Sequence, residues 1–379
     1  MDKEQTAILT VSIYSVNVLR FAKVYVFAAM LLLSLMATVS AQEQDEPIKL
    51  KSDLVTITAA VKDRNGSAVK SLRAEDFTIY EDGTRQKVEL FNSTEEPFTL
   101  MLLLDLSGST RDDLALIKSA AKNFLKELRD KDRVGVIVFS GDVEMIAEFT
   151  DTRARVESEI DRLTLIPGAD GHHFNTRTGT SFYDALYLAV EESPLKDVEG
   201  RKAIVCVSDG VDSTSKSEYR DVAKLLEKSQ ASVYLLELNT EATALAGLLI
   251  DDRNKPGHIE FSQAQVNRYY DEFEPESIEK FKPRKLLPPE TRRKINAGLY
   301  KIARREMKEL ATRTGGREYT VRSIADLAGV YKQVADDLRS QYSIGYYSTN
   351  NTNDGRWRTI RVEVKKGATV RARSGYWAK

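Results

Sequence analysis

Three short polar stretches in this sequence have residue types and placing that could do chemistry: Asp105-Leu106-Ser107-Gly108-Ser109, Gly179-Thr180-Ser181 and Ser208-Asp209-Gly210. The first and third directly follow apolar runs, Leu100 to Leu104 and Ala203 to Val207, and the second precedes a helical pattern containing Leu186 and Val190. In the first stretch the donors alternate, so a strand end can aim three side chains one way while Gly108 permits a tight turn. Two carboxylates and three hydroxyls are all oxygen donors. Such a set suits a hard divalent cation, magnesium first, with manganese or calcium as alternatives. Without a cation the two carboxylates would repel each other. Asp105, Ser107, Ser109, Thr180 and Asp209 are therefore the expected metal ligands. Each has a plainer reading when taken alone. Thr180 or Ser181, with Asp184 following, could cap a helix; Asp209-Gly210 could be a turn and Ser107 to Ser109 an ordinary loop. Their joint occurrence favours the metal. Asp112 and Asp212 lie nearby and could support the ligands, although solvated carboxylates are the simpler reading.

Other chemistries find little support. Cys206 is the one cysteine, which rules out an intrachain disulfide and a thiolate zinc cage; a disulfide-linked partner is not expected. Its place in an apolar run marks it as a small buried hydrophobe. With 3 histidines in all, a His-rich zinc hydrolase is not expected. His172-His173 precedes the Thr180 stretch and could border a ligand surface, with exposed loop residues as the simpler reading. The 56 basic residues nearly cancel the 57 acidic ones, leaving a net charge of -1. Nothing in that balance favours nucleic acid or an anionic membrane.

The polar stretches need elements to position them. Between Phe98 and Val321 short apolar runs alternate with segments of helical period, the pattern of a parallel sheet covered on both faces. The runs are Leu100 to Leu104, Val134 to Phe139, Ala203 to Val207, Val233 to Leu238 and Glu318 to Val321. Leu114, Ile117, Ala121, Phe124 and Leu128 form one helical face, as do Val222, Leu225 and Leu226 and the series Ile295, Leu299, Ile302, Glu306 and Leu310. Gly315-Gly316 stops that last helix. Ser323 with Asp326 reads as a capping box ahead of a final helix through Leu327, Val330, Val334 and Leu338. In such an open sheet ligands bind outside the carboxyl ends of the strands, so the three polar stretches should meet at one edge.

The flanks differ from this centre. Val55, Ile57, Ala59 and Val61 alternate with polar residues; Asn65-Gly66, a strand around Phe77 to Tyr80, Asp82-Gly83 and a strand around Val88 to Phe91 follow as hairpin signals. After Tyr342, Ile344 and Tyr346 the C-terminal flank continues in the same style. Each flank alone is too small for a core, so the two are expected to pair into one small β-module. Residues 240–293 form an insertion rich in proline and charge. Its basic cluster, Lys282, Arg284, Lys285, Arg292, Arg293 and Lys294, reads as a solvated face or, alternatively, a dock for an acidic partner. Arg20 and Lys23 precede an apolar stretch from Val24 to Val39, which ends in Val39-Ser40-Ala41 before a polar segment. This is a signal-peptide pattern, shorter than the roughly 20 apolar residues of a membrane-spanning helix. Cleavage after Ala41 and export are expected, an uncleaved anchor being the alternative. The divisions are thus 1–41 leader, 42–97 N-terminal flank, 98–340 central domain and 341–379 C-terminal flank.

The pattern Asp-x-Ser-x-Ser, a distant Thr and an Asp followed by Gly resembles the metal ion-dependent adhesion site of von Willebrand factor type A domains. Asp105, Ser107, Ser109, Thr180 and Asp209 match its five positions, and Gly179 to Leu186 resembles the family's threonine loop. The flanks are similar to those of bacterial secreted von Willebrand factor type A related proteins, especially Asp76 to Gly83 and Tyr342 to Tyr347. The resemblance implies a Rossmann-like, doubly wound, mostly parallel α/β sheet. It also implies that serines and threonine hold the cation directly or through water while the aspartates help, leaving one position for an acidic residue of a ligand. The expected function is a non-enzymatic, extracytoplasmic module binding a protein or peptide through an exposed Asp or Glu. A metal-dependent hydrolase or phosphoryl-transfer enzyme with Asp105 as nucleophile is the competing reading; against it stand the absence of a second Asp at the usual spacing, of a Gly-x-Ser-x-Gly elbow and of a phosphate loop with Lys. A scaffold with a purely structural metal is the third.

Overall fold

A computed structural model describes residues 54–92, 96–108, 110, 113–164, 172–173, 179–277, 287–350, 352–365 and 367–378. The leader, Ser109, Asp112, Lys282, Arg284 and Lys285 lie outside the described residues. The N-terminal flank supplies β1 (Leu54–Lys62), β2 (Phe77–Glu81), β3 (Thr84–Gln86) and β4 (Leu90–Asn92). Asp82 and Gly83, with φ of 46° and 81°, turn β2 into β3 as a tight hairpin requires. Asn65-Gly66 does not connect two paired strands. It is followed by a single bridge, Lys62 to Ala68, and the partners of β1 come from the other end of the chain.

The central segment supplies β5 (Phe98–Asp105), α1 (Leu114–Glu127), β6 (Arg133–Phe139), β7 (Val143–Thr150), α2 (Arg153–Asp161), β8 (Leu163–Thr164), β9 (His172–His173) and α3 (Phe182–Tyr187). It continues with β10 (Arg201–Ser208), α4 (Tyr219–Ser229), β11 (Ser232–Leu238), α5 (Glu241–Leu248), α6 (Gln263–Phe273), α7 (Pro289–Arg313), β12 (Arg317–Val321) and α8 (Leu327–Leu338). The main sheet has the order β12-β11-β10-β5-β6-β7. All its pairs are parallel except the edge pair of β6 with β7. Every residue of β5 is buried, because helices cover both faces of the strand. On one face Leu100, Leu102 and Leu104 pack with Ile117 and Phe124 of α1, Val156 of α2 and Tyr331 and Val334 of α8. On the other, Met101 and Leu103 pack with Phe182 and Leu186 of α3, Leu226 of α4 and Met307 and Leu310 of α7. The architecture is the doubly wound, mostly parallel α/β sheet.

The described residues of the insertion are largely helical. Residues 240–293 contain α5, α6 and the first turn of α7, which opens on Pro288-Pro289, where a missing N–H costs nothing. Arg292 is buried rather than solvated: its guanidinium donates to the Leu248 carbonyl and to Asp251 Oδ1, the latter at 2.6 Å. The charged residue in the apolar series of α7 is also explained. Glu306 is buried because it accepts hydrogen bonds from the Tyr183 hydroxyl at 2.5 Å and from Arg268 of α6. Ahead of α8 the expected capping box is replaced by a single turn, Ile324–Asp326, in which the Ser323 hydroxyl donates to the Asp326 carboxylate at 3.0 Å.

The C-terminal flank supplies β13 (Gln341–Tyr347), β14 (Trp357–Val364), β15 (Thr369–Ala372) and β16 (Gly375–Trp377). Its strands interleave with those of the N-terminal flank in two sheets, β15-β1-β13-β4 and β16-β14-β2-β3. Ile57, Val61, Phe77, Ile79, Tyr342, Ile344 and Tyr346 share the core between them. Two buried carboxylates of the central segment meet this β-module. Glu227 of α4 accepts from Trp377 Nε1 at 2.7 Å, and Asp337 of α8 pairs with Lys62 at 2.9 Å and with Arg371.

Candidate metal site at the carboxyl end of the sheet

The chain runs from β5 outward to β6 on one side and later from β10 to β11 and β12 on the other. The strand order therefore reverses between β5 and β10, the place where loops diverge and leave a crevice. Asp105 is the last residue of β5, and Asp209 follows the last residue of β10. Both are buried, at 1 % and 5 % exposure. Asp105 Oδ1 accepts the Ser107 amide at 2.9 Å, and Oδ2 accepts the Ser208 hydroxyl at 2.6 Å across the strand pair. The Thr110 hydroxyl closes the loop by donating to the carbonyls of Asp105 and Ser107 at 2.9 and 3.1 Å.

The threonine loop arrives from both sides of β5. Ser181 N donates to the Ser140 carbonyl beyond β6 at 2.6 Å, and the Thr180 carbonyl accepts from Ser213 and Thr214 beyond β10 at 2.9 and 3.2 Å. That bridge places Thr180 over the end of the strand carrying Asp105. Gly179, at φ 105°, has no room for a side chain: a Cβ there would meet Ser213 Oγ at 2.6 Å. Thr180 is 8 % exposed, its amide donates to Ser213 Oγ at 2.8 Å, and among the described residues no hydrogen bond engages its hydroxyl. Neither Thr180 nor Ser181 caps α3 through its side chain; the Ser181 hydroxyl donates instead to the Gly141 carbonyl at 2.8 Å.

Asp105, Ser107, the Thr180 loop and Asp209 thus come to one end of the sheet. Their electrostatics fit a cation. Burial first, and the Asp209 charge second, push the Asp105 carboxyl up to about 7, while Ser208 and Ser107 pull in the opposite direction. Two buried carboxylates with hydroxyls around them make an all-oxygen set, the donor chemistry that suits a hard divalent ion. No group of three or more His, Cys, Asp or Glu with metal-site geometry occurs among the described residues. The candidate set here depends on hydroxyls.

Several neighbours were not evident from sequence. Asp209 Oδ1 accepts the Val211 amide at 3.0 Å, and Oδ2 accepts the Thr240 hydroxyl at 2.5 Å with the Tyr300 hydroxyl at 3.3 Å. Burial and the Asp209 charge raise the Tyr300 phenol far above its ordinary range, so it stays a donor. Asp212 is not a solvated carboxylate. It accepts from Ser215 and from the Tyr183 amide, and burial raises its carboxyl. His172 is not an exposed loop residue either: in β9 its Nδ1 lies 3.0 Å from Glu144 and its Nε2 3.0 Å from Glu159. Cys206 is buried, and desolvation pushes its thiol well up, which makes it an inert core residue.

Residues 100–211 match the model of the von Willebrand factor type A domain. No curated protein matches the chain. Among solved structures, BatB from Bacteroides thetaiotaomicron is similar at 18 % identity and a TM-score of 0.37, covering 64 % of this chain and 98 % of that one. A von Willebrand factor type A protein from Catenulispora acidiphila is similar at 11 % identity and a TM-score of 0.38, covering 85 % and 74 %. Proximal thread matrix protein 1 from the mussel byssus, in a structure with a zinc-occupied MIDAS motif, is similar at 12 % identity and a TM-score of 0.41, covering 67 % and 48 %. The family match, which runs from β5 past the end of β10 and so encloses all three polar stretches, carries the assignment: this chain contains a von Willebrand factor type A domain.

Proposed function

We propose that the domain is a cation-dependent binding module in which Asp105, Ser107, Ser109, Thr180 and Asp209 hold one divalent ion, magnesium first. The observation that carries this reading is the pair of buried carboxylates, Asp105 and Asp209, each accepting from a hydroxyl of its own, Ser208 and Thr240 respectively, at the strand-order reversal. When bound, the cation supplies a Lewis-acidic position that can accept an anionic oxygen. The chain's own residues orient the ligands and leave the Thr180 hydroxyl available. The partner is a protein or peptide presenting an exposed Asp or Glu. The signal-like segment before Gln42 supports an extracytoplasmic setting for this activity; among the described residues no helix is long and apolar enough to cross a membrane.

A binding role is favoured over hydrolysis because both Asp105 oxygens already accept hydrogen bonds, from Ser107 N and Ser208 Oγ, which orients the carboxylate as an acceptor rather than a free nucleophile. The test is calorimetric titration of the chelator-stripped chain with magnesium, manganese and calcium, followed by capture of partners from extracellular or periplasmic extract with and without chelator. Binding of a cation that Asp105→Ala abolishes, with capture only in its presence, is the expected result. Full capture in chelator would leave the cation a structural role, and phosphatase or esterase turnover lost in Asp105→Asn would favour the enzyme.

A further inference from the structure

The Asp209 carboxylate is held by residues from outside the matched segment. Thr240, in the connection after β11, donates its hydroxyl to Asp209 Oδ2 at 2.5 Å, and the Tyr300 hydroxyl lies 2.8 Å from Thr240 Oγ1 and 3.3 Å from the same carboxylate oxygen. Two hydroxyls therefore converge on one oxygen, while Oδ1 is fixed by the Val211 amide at 3.0 Å. Tyr300 is buried on α7, and the helix is locked at this point by its next turn. Arg304 lies over the Tyr300 ring, 5.5 Å from its centroid, and donates to Glu237 at 2.7 Å, near the end of β11 before Thr240, and to Glu241 at 2.8 Å, the residue after it. Tyr300 and Arg304 are four apart and so share one helical face. Gly210 lets α7 come this close: a Cβ there would meet Met307 Sδ at 2.5 Å.

We propose that Thr240 and Tyr300 are positioning residues for the cation site: they hold the Asp209 carboxylate in one orientation before the ion arrives, so affinity for the ion depends on how α7 docks. The physical reason is that a carboxylate free to rotate must be ordered on binding, whereas one held by two hydroxyl donors and an amide is already placed. Thr240 and Tyr300 need not touch the ion. They act through Asp209. The inference rests on the cation-binding reading above.

The test is calorimetric titration of the chelator-stripped full chain with magnesium and with manganese. Thr240→Val keeps the shape and removes the donor, Thr240→Ser keeps the donor, and Tyr300→Phe removes only the second hydroxyl. The expected result is that Thr240→Val and Tyr300→Phe each weaken cation affinity about ten- to a hundredfold, the range seen when outer partners of metal ligands are lost. Thr240→Ser should bind like the intact chain. In an Asp209→Asn background both losses should vanish, because the hydroxyls then have no carboxylate to orient. Circular dichroism and melting of each variant separate this from misfolding, since destabilisation alone would not be erased by Asp209→Asn or restored by Thr240→Ser. Intact affinity in Thr240→Val and Tyr300→Phe, with the wild-type chain still binding, overturns this inference alone. Absence of cation binding by the wild-type chain overturns the cation reading and this inference with it.

Discussion

The Ser208 hydroxyl donates to Asp105 Oδ2 at 2.6 Å and so ties the last residue of β10 to the last residue of β5, across the point where the strand order reverses. The bond is buried and made to a carboxylate, the combination in which a single hydroxyl matters most. It also explains why Asp105 faces the crevice: one oxygen is pinned by the neighbouring strand and the other by its own loop.

Replacing Ser208 by Ala should therefore weaken the cation site without dismantling the sheet. A hydrogen bond to a charged group contributes about 1.5–3 kcal/mol, so cation affinity should fall roughly ten- to a hundredfold. Titration calorimetry of the stripped variant measures this. Unchanged affinity would mean that the backbone alone orients Asp105.

Cation binding should raise the melting temperature of the stripped chain, because an ion bound only by the folded state stabilises it by about 2.7 kcal/mol at 100 times its dissociation constant. Asp105→Ala should remove the shift, and Thr180→Ala should reduce it. Scanning calorimetry with magnesium and with chelator decides the matter; superimposable curves for a fully stripped sample would count against the five-residue site.

The pH dependence of the metal-free chain follows from Asp105, whose carboxyl rises from 3.8 to about 7 on folding, through burial first and the Asp209 charge second. The folded state then holds more protons than the unfolded one between these values, so the stability from this group is full below about pH 4 and is lost as pH rises through about 7. Magnesium should reverse the trend, since the ion competes with the proton and binds better once Asp105 is ionised. Urea melts of the stripped chain from pH 5 to 8, with and without magnesium, should diverge as pH increases. Asp105→Asn should flatten the metal-free slope.

Removal of residues 54–92 should unravel the C-terminal flank. In its sheet β13 lies between β1 and β4, both N-terminal, and β14 pairs with β2, also N-terminal. Without them β13 has no partner strand in its sheet and Tyr342, Ile344 and Tyr346 lose their cover. Limited proteolysis of the truncated chain should cut within 341–378 at sites protected in the longer protein; equal protection would show that the C-terminal strands are held by the central segment alone, through Glu227 and Asp337.

The elements that follow from local pattern were legible along the chain. Strands covered on both faces must be apolar throughout, so β5, β6, β10 and β11 announced themselves, and the residues that end β5 and follow β10 were legible as a site because ligands gather at the carboxyl ends of parallel strands. The edge strand β7 was hidden, because Glu144 and Glu148 interrupt its apolar residues and only Ile146 in it is buried. Asn65-Gly66 resembled a hairpin turn, yet the partner of β1 lies more than two hundred residues away, since the register Ile57 to Ile344 is chosen by the core that both flanks fill. Which charges are buried, and what they hold, depends on packing between distant segments. Arg292 and Asp212 read as solvated charges, and Glu306 as an unexplained charge on an apolar helical face, because the partners that bury them come largely from elsewhere in the chain: Leu248 and Asp251 for Arg292, Tyr183 and Arg268 for Glu306, and the Tyr183 amide beside the nearby Ser215 for Asp212. The same holds at the site: Tyr300 lies 91 positions from Asp209 and Thr240 lies 31, and no periodicity within α7 or β11 could say that packing would bring two hydroxyls to one carboxylate oxygen.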